Sequence, residues 1–141
     1  MATTTATITL SSSDITDNAL SISNTATLTT AGTDTGITET TGLARVKTSS
    51  GSNTLLLDFG LTGGVAQDIT ADRSAKVYIK NVNDRGDGTK YVDILIKTRE
   101  IGRLYGGDWM LIPYSGGTGE DVEYTASDTT ETTLEYCVFY E

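Results

Sequence analysis

The sequence predicts an all-β protein: a two-layer β-sandwich of jelly-roll-like type, with a polar extended segment at its N-terminus. Three observations predict it. Apolar residues recur in short runs of period two, bounded by Gly, Asn, Asp and Ser clusters. The composition favours strands and turns, with 27 Thr and 15 Gly in 141 residues. No stretch sustains the 3.6-residue period that a ten-residue helix would need. Eight or nine short strands with turns between them suit a sandwich and not alternating βαβ units. A chain of this length makes one domain, and residues 19–141 are assigned to it. No repeat of fixed period interrupts that reading.

Residues 1–18 form the N-terminal arm or edge strand. Ala6, Ile8 and Leu10 alternate with Thr5, Thr7 and Thr9, and Leu20, Ile22, Ala26 and Leu28 share one parity, interrupted by Asn24. Such thin apolar rows bury little surface by themselves and need a partner. They serve either as edge strands of the main domain or as an arm reaching over a neighbouring subunit. Ala31–Gly36 reads as a loop, Leu43–Lys47 as a short strand and Thr48–Asn53 as a surface turn. Leu55, Leu57 and Phe59 then share one face with Leu56 on the other, a density that predicts a strand covered on both sides.

Gly60–Ala75 is a crossover loop, with room for one helical turn at residues 66–71. Lys76–Val82 and Tyr91–Lys97 follow as two alternating strands, the first with Val77 and Ile79 on one face, the second with Val92, Ile94 and Ile96. Joined by Asn83–Lys90, they read as a long-looped hairpin whose apolar faces meet a partner sheet. A short strand near Ile101–Leu104 leads to a tight Gly106-Gly107 turn. The Trp109–Tyr114 strand belongs at an edge, because Pro113 has no amide to donate. Asp121–Ala126 and Leu134–Glu141 are the last strands, the latter with Leu134, Tyr136, Val138 and Tyr140 on one face.

The formal charge of −9 is unevenly spread. Residues 1–44 hold four acids and no base, residues 45–103 ten bases against seven acids, and residues 104–141 eight acids and no base. An acidic chain of this kind repels nucleic acid, so none is expected as a partner. No membrane is expected either, since there is no run of some 18 apolar residues and no signal-peptide pattern at Met1–Ala6. Cys137 is the lone cysteine and is read as a small strand residue.

The chain contains no His, which removes Ser-His-Asp and Cys-His nucleophiles, imidazole metal sites and the commonest general base. Asp84/Asp87, Asp58/Asp68/Asp72 and Glu120/Asp121/Glu123 are carboxylates in loops, without the desolvated pair across a cleft that a glycosidase needs. Asn81–Gly86 resembles the start of a calcium loop, but Arg85 and Val92 stand where ligands belong. Arg85-Gly86-Asp87 matches an integrin-ligand tripeptide and is read as turn chemistry. The expectation is a non-enzyme with no cofactor and no metal.

One set of motifs carries a resemblance. Lys76–Val82, Ile101–Tyr114 and Leu134–Glu141, with Leu28–Gly36 and Thr41–Arg45 upstream, resemble a family of virion structural proteins of tailed bacteriophages, notably those of marine cyanobacteria. The resemblance implies a virion component made in the host bacterial cytoplasm. Small size, acidity, absent catalytic groups and the candidate arm narrow this to a capsid decoration (cement) protein on the outer capsid surface. Its partners would be the major capsid protein and further copies of itself, with a trimer favoured on symmetry. The alternatives are a tail or neck component, which should carry a long amphipathic hairpin reaching its neighbour, and a receptor- or carbohydrate-binding module with an aromatic cleft. Ile8, Leu10, Tyr105, Trp109 and Tyr114 are the candidate interface residues.

Overall fold

The computed structural model describes residues 3–13, 20–29, 39–48, 52–59, 67–69, 74–86, 89–115, 119–127 and 131–140. The chain forms two compact units, Met1–Thr38 and Glu39–Glu141. All described regular structure is β, in antiparallel sheets apart from one parallel pair.

The first unit holds β1 (Thr3–Ser12) and β2 (Leu20–Thr29), paired antiparallel over their full length. Leu10 stands opposite Ile22, Ile8 opposite Asn24 and Thr7 opposite Thr25, so the two period-two patterns coincide in register. The division at residue 38 differs from the sequence-based one at residue 18. β2 completes a sheet with β1, because each strand offers the other ten residues of backbone pairing.

The second unit is a sandwich of two five-stranded sheets. One contains β10 (Trp109–Ser115), β7 (Ser74–Asn81) and β12 (Thr132–Tyr140) in that order, with β3 (Glu39–Thr40) and β4 (Ala44–Thr48) both pairing β12. The other runs β6 (Gln67–Ile69), β5 (Thr54–Phe59), β11 (Val122–Ala126), β8 (Val92–Ile96), β9 (Arg99–Leu104). Val77, Ile79, Leu134 and Val138 of the first sheet join Leu57, Val92, Ile94, Leu104, Val122 and Tyr124 of the second in one buried cluster. Each of these branched or aromatic side chains contributes about 1.5–3 kcal/mol by leaving water. β11 shows the cause most plainly: Val122, Tyr124 and Ala126 are buried, with Glu123 and Thr125 between them facing out.

Two expectations are corrected. The strands at 76–82 and 91–97 do not form a hairpin, for β7 lies in one sheet and β8 in the other. The loop between them crosses the sandwich, so Val77 and Ile79 pack against Val92 and Ile94 across the core instead of beside them. Within the crossover, Gln67–Ile69 is a short parallel strand on β5 and not a helical turn, since the exposed edge of β5 offers backbone partners at Leu57–Phe59. The strand at residues 54–59 is buried on both sides through a bulge. Leu57 pairs with Val122 and Leu55 with Glu123, which leaves Leu56 as the extra residue, and Leu56 and Leu57 are both buried. Trp109–Ser115 is an edge strand as Pro113 requires, with β7 as its one neighbour. Ala31–Gly36 lies outside the described residues.

The crossings are held at Asn81, the fully buried last residue of β7. Its side-chain amide donates to the carbonyls of Lys90 (3.2 Å) and Leu104 (3.0 Å), while its Oδ1 accepts from the backbone N–H (3.1 Å) and the side-chain amide (2.7 Å) of Asn83. Its backbone N–H donates to Asp108 and its carbonyl accepts from Gly107. Gly106 passes so close that an added Cβ would lie 2.3 Å from the Asp84 carbonyl oxygen. Gly107 adopts φ +84°, which a Cβ would resist. Asn81→Ala removes both amide donations and the acceptor that Asn83 uses, at a fully buried position, so we expect a loss of about 3 kcal/mol, read as a lower urea midpoint.

Candidate functional site

No group of three or more potential metal ligands occurs among the described residues. Of the polar groups singled out from sequence, Asp84, Arg85 and Glu123 have structural partners, and Asp72 lies outside the described residues. Asp84 Oδ1 accepts from the Gly86 N–H at 3.0 Å, Arg85 pairs with Asp108, and Glu123 accepts from the Thr98 N–H at 3.1 Å. Asp87 lies outside the described residues.

The five candidate interface residues fall in separate places. Ile8 and Leu10 lie on the hairpin, 38% and 54% exposed, on the same side as Leu20 (40%) and Ile22 (47%). The opposite side carries Thr5, Thr7, Thr9, Ser11, Ser21, Ser23 and Thr25, with the Thr7 and Thr25 hydroxyls hydrogen-bonded at 3.1 Å. No charged residue occurs in either strand.

Trp109 is half exposed on the outer face of the first sheet. Register gives this face three rows across the strands: Trp109–Lys80–Glu135–Arg45, Leu111–Tyr78–Cys137 and Pro113–Lys76–Phe139–Thr40. The Tyr78 and Trp109 rings lie 6.5 Å apart at 37°. Arg45 holds Glu135 through Nε (2.9 Å) and a terminal nitrogen (2.8 Å), whereas Lys76 and Lys80 have no ion pair among the described residues. Cys137 is buried beneath this face, its Sγ 3.5 Å from Thr40 Oγ1. Sequence reading selected Trp109 but not Leu111, Tyr78 or Phe139. The shared parity of residues 109, 111 and 113 was the available signal.

The outer face of the second sheet is finished differently. Arg103 donates to both carboxylate oxygens of Asp93, through Nε (2.7 Å) and a terminal nitrogen (3.1 Å), and lies 3.7 Å above the Tyr91 ring, which meets Tyr105 edge-on at 5.7 Å. The hydrogen bond to Asp93, then one to Tyr105, raises the Arg103 pKa above its ordinary value. Tyr105 therefore belongs to a polar cluster whose groups already hold one another.

Tyr114 packs half-buried against the core, and its hydroxyl donates to the Glu120 carbonyl. Beside it opens a cleft of about 570 Å³ lined by Ile96, Lys97, Thr98, Arg99, Tyr114 and Glu120. Its rim is the two-residue turn between β8 and β9, where Lys97 (φ 48°) and Thr98 (φ 65°) both take left-handed backbone without glycine. Lys97 Nζ to Glu120 (3.2 Å), Lys97 N–H to the Asp121 carbonyl (3.1 Å) and the Thr98–Glu123 bond hold that conformation.

No known protein family matches the chain, and no curated protein matches it.

Two measurements check these assignments. Thr98→Gly relieves a β-branched residue of positive φ, so thermal unfolding should shift upward by about 1 kcal/mol equivalent. Burial, then the Glu135 charge, raises the Tyr78 pKa; burial, then Glu120 and Asp121, raises that of Tyr114. Both groups are held neutral in the fold, so their contribution is complete below the ordinary value of 10.0 and is lost as pH rises through the folded pKa. The urea midpoint should fall above pH 10, and Tyr78→Phe should make that fall shallower.

Proposed function

We propose that the protein is a non-enzymatic structural component of a tailed-phage particle, and specifically a capsid decoration protein that binds the outside of the head and bridges major capsid subunits. The observation that carries this reading is the outer face of the β10-β7-β12-β4 sheet. An apolar and aromatic row there is flanked by two lysines without an ion pair among the described residues, on a chain that is otherwise strongly acidic. A face of this composition suits a partner surface bearing carboxylates. On the opposite outer face Arg103 is paired with Asp93.

Strand order supports the same class of protein. With β3 and β6 set aside, the sheets read β4-β12-β7-β10 and β5-β11-β8-β9, and the chain changes sheet at every step except β8 to β9. This order supports a jelly-roll reading, an architecture used for capsid and lectin domains. The motifs that resemble phage virion proteins lie mostly on these strands, at Lys76–Val82, Ile101–Tyr114 and Leu134–Glu141.

A tail or neck component is the second reading, and the hairpin β1-β2 favours it. Two ten-residue strands with one apolar side are the long amphipathic hairpin that a stacked ring would use to reach its neighbour. The receptor-binding reading is less well served, because Trp109 lies within a strand on a sheet face and not in a cleft at a loop end.

Quantitative mass spectrometry and a reconstruction of purified particles test the proposal. Decoration predicts on the order of hundreds of copies on the head, a tail or neck ring on the order of tens at one vertex. Absence from particles overturns both. Replacing Trp109 and Leu111 with Ser should lower head occupancy at least tenfold while leaving the unfolding midpoint nearly unchanged, since both side chains point away from the core.

A further inference from the structure

The hairpin β1-β2 has a property that the decoration reading does not require. It is a two-stranded sheet with four exposed apolar side chains on one side, and two strands alone are marginally stable in water. Among the described residues its outer edges also pair with no further strand. The strands contain no Lys, no Pro and no bulge, the devices that keep an exposed edge from pairing with another chain.

We propose that the occupant of these edges and of the apolar side is the same hairpin from further copies of this chain, closing into a β-barrel of three or four copies. Two properties select a copy over another partner. The chain carries a net charge of −9, so two copies repel over most of their surface, but the 20 strand residues are uncharged and can approach without placing like charges together. Because β1 and β2 are antiparallel and equal in length, the β1 edge of one copy can continue the sheet on the β2 edge of the next without a gap.

Area decides between stacking and closure. A hairpin of ten-residue strands presents a side of about 340 Å², roughly 34 Å by 10 Å, well below the ~800 Å² per partner of a stable interface. Two hairpins stacked face to face would therefore be weak and would leave four free edges. A ring pairs every edge and turns Ala6, Ile8, Leu10, Leu20 and Ile22 inward, with the Thr and Ser side facing water. Three copies supply six strands, the smallest ring able to close. Ser12, opposite Leu20, and Asn24, opposite Ile8, are polar residues on the inward side, and in a ring the Asn24 amides of successive copies can satisfy one another.

This inference is independent of the virion reading and is tested on the full chain alone. Sedimentation at tens of micromolar should give three or four times the 14.9 kDa chain mass. Ile22→Lys and Ile22→Glu should each sediment at one chain mass, with Trp109 fluorescence showing the sandwich intact. The proposal is overturned if wild type sediments as a monomer or dimer, or if either variant keeps the higher mass.

Discussion

Asn81 is the point through which the sandwich is held together. The chain must leave one sheet after β7, enter the other at β8, and return from β9 to β10. Each crossing exposes backbone groups that no strand can pair. One buried amide meets them, donating to Lys90 before β8 and to Leu104 at the end of β9 while accepting from Asn83. A buried polar side chain costs several kcal/mol when unpartnered, so a site with every hydrogen bond made specifies one arrangement of three segments. Gly106 is confined by the same packing, since the Asp84 carbonyl leaves no room for a side chain.

That arrangement explains which parts of the fold could be read from sequence. Faces were legible, because period two is a property of a strand by itself: Val77 and Ile79, Val92 and Ile94, and the alternation in Val122–Ala126 all point as their parity requires. Pro113 likewise announced an edge. Partners were not legible. Asn83–Lys90 contains the Asn, Asp and Gly of a hairpin loop, yet that chemistry serves equally well for a loop that crosses between sheets, and only the Asn81 contacts distinguish the two. Gln67–Ile69 has no apolar alternation to announce a strand; it is one because the edge of β5 is open there. The Leu56 bulge was half visible, as an apolar run too dense for one face.

The candidate contact residues divide along the same line. Trp109 was selected as an aromatic, but the face it belongs to is assembled from three strands distant in sequence, with Leu111, Tyr78 and Phe139 aligned only by register. Tyr105 and Tyr114 belong to the same residue class and have other roles, one in the polar cluster around Arg103, the other against the core. Ile8 and Leu10 were recognised as needing a partner, and the nearer one proved to be β2. Removing residues 2–18 would therefore leave β2 without its paired strand, so any deletion aimed at this element has to take the whole unit through residue 38.

Charge separates these surfaces by task. Two ion pairs, Arg45–Glu135 and Arg103–Asp93, bridge neighbouring strands within a single sheet, and they leave Lys76 and Lys80 as positive points beside Tyr78 and Leu111. The hairpin strands hold no charge at all. A chain with one adhesive face of modest area gains little from a single contact, but linking copies makes every later contact intramolecular, and avidity can then exceed the single affinity by about 10²–10⁴. On the proposed roles, an uncharged segment joining copies and a cationic aromatic face meeting an acidic partner would be complementary: the first would raise the effective concentration at which the second acts.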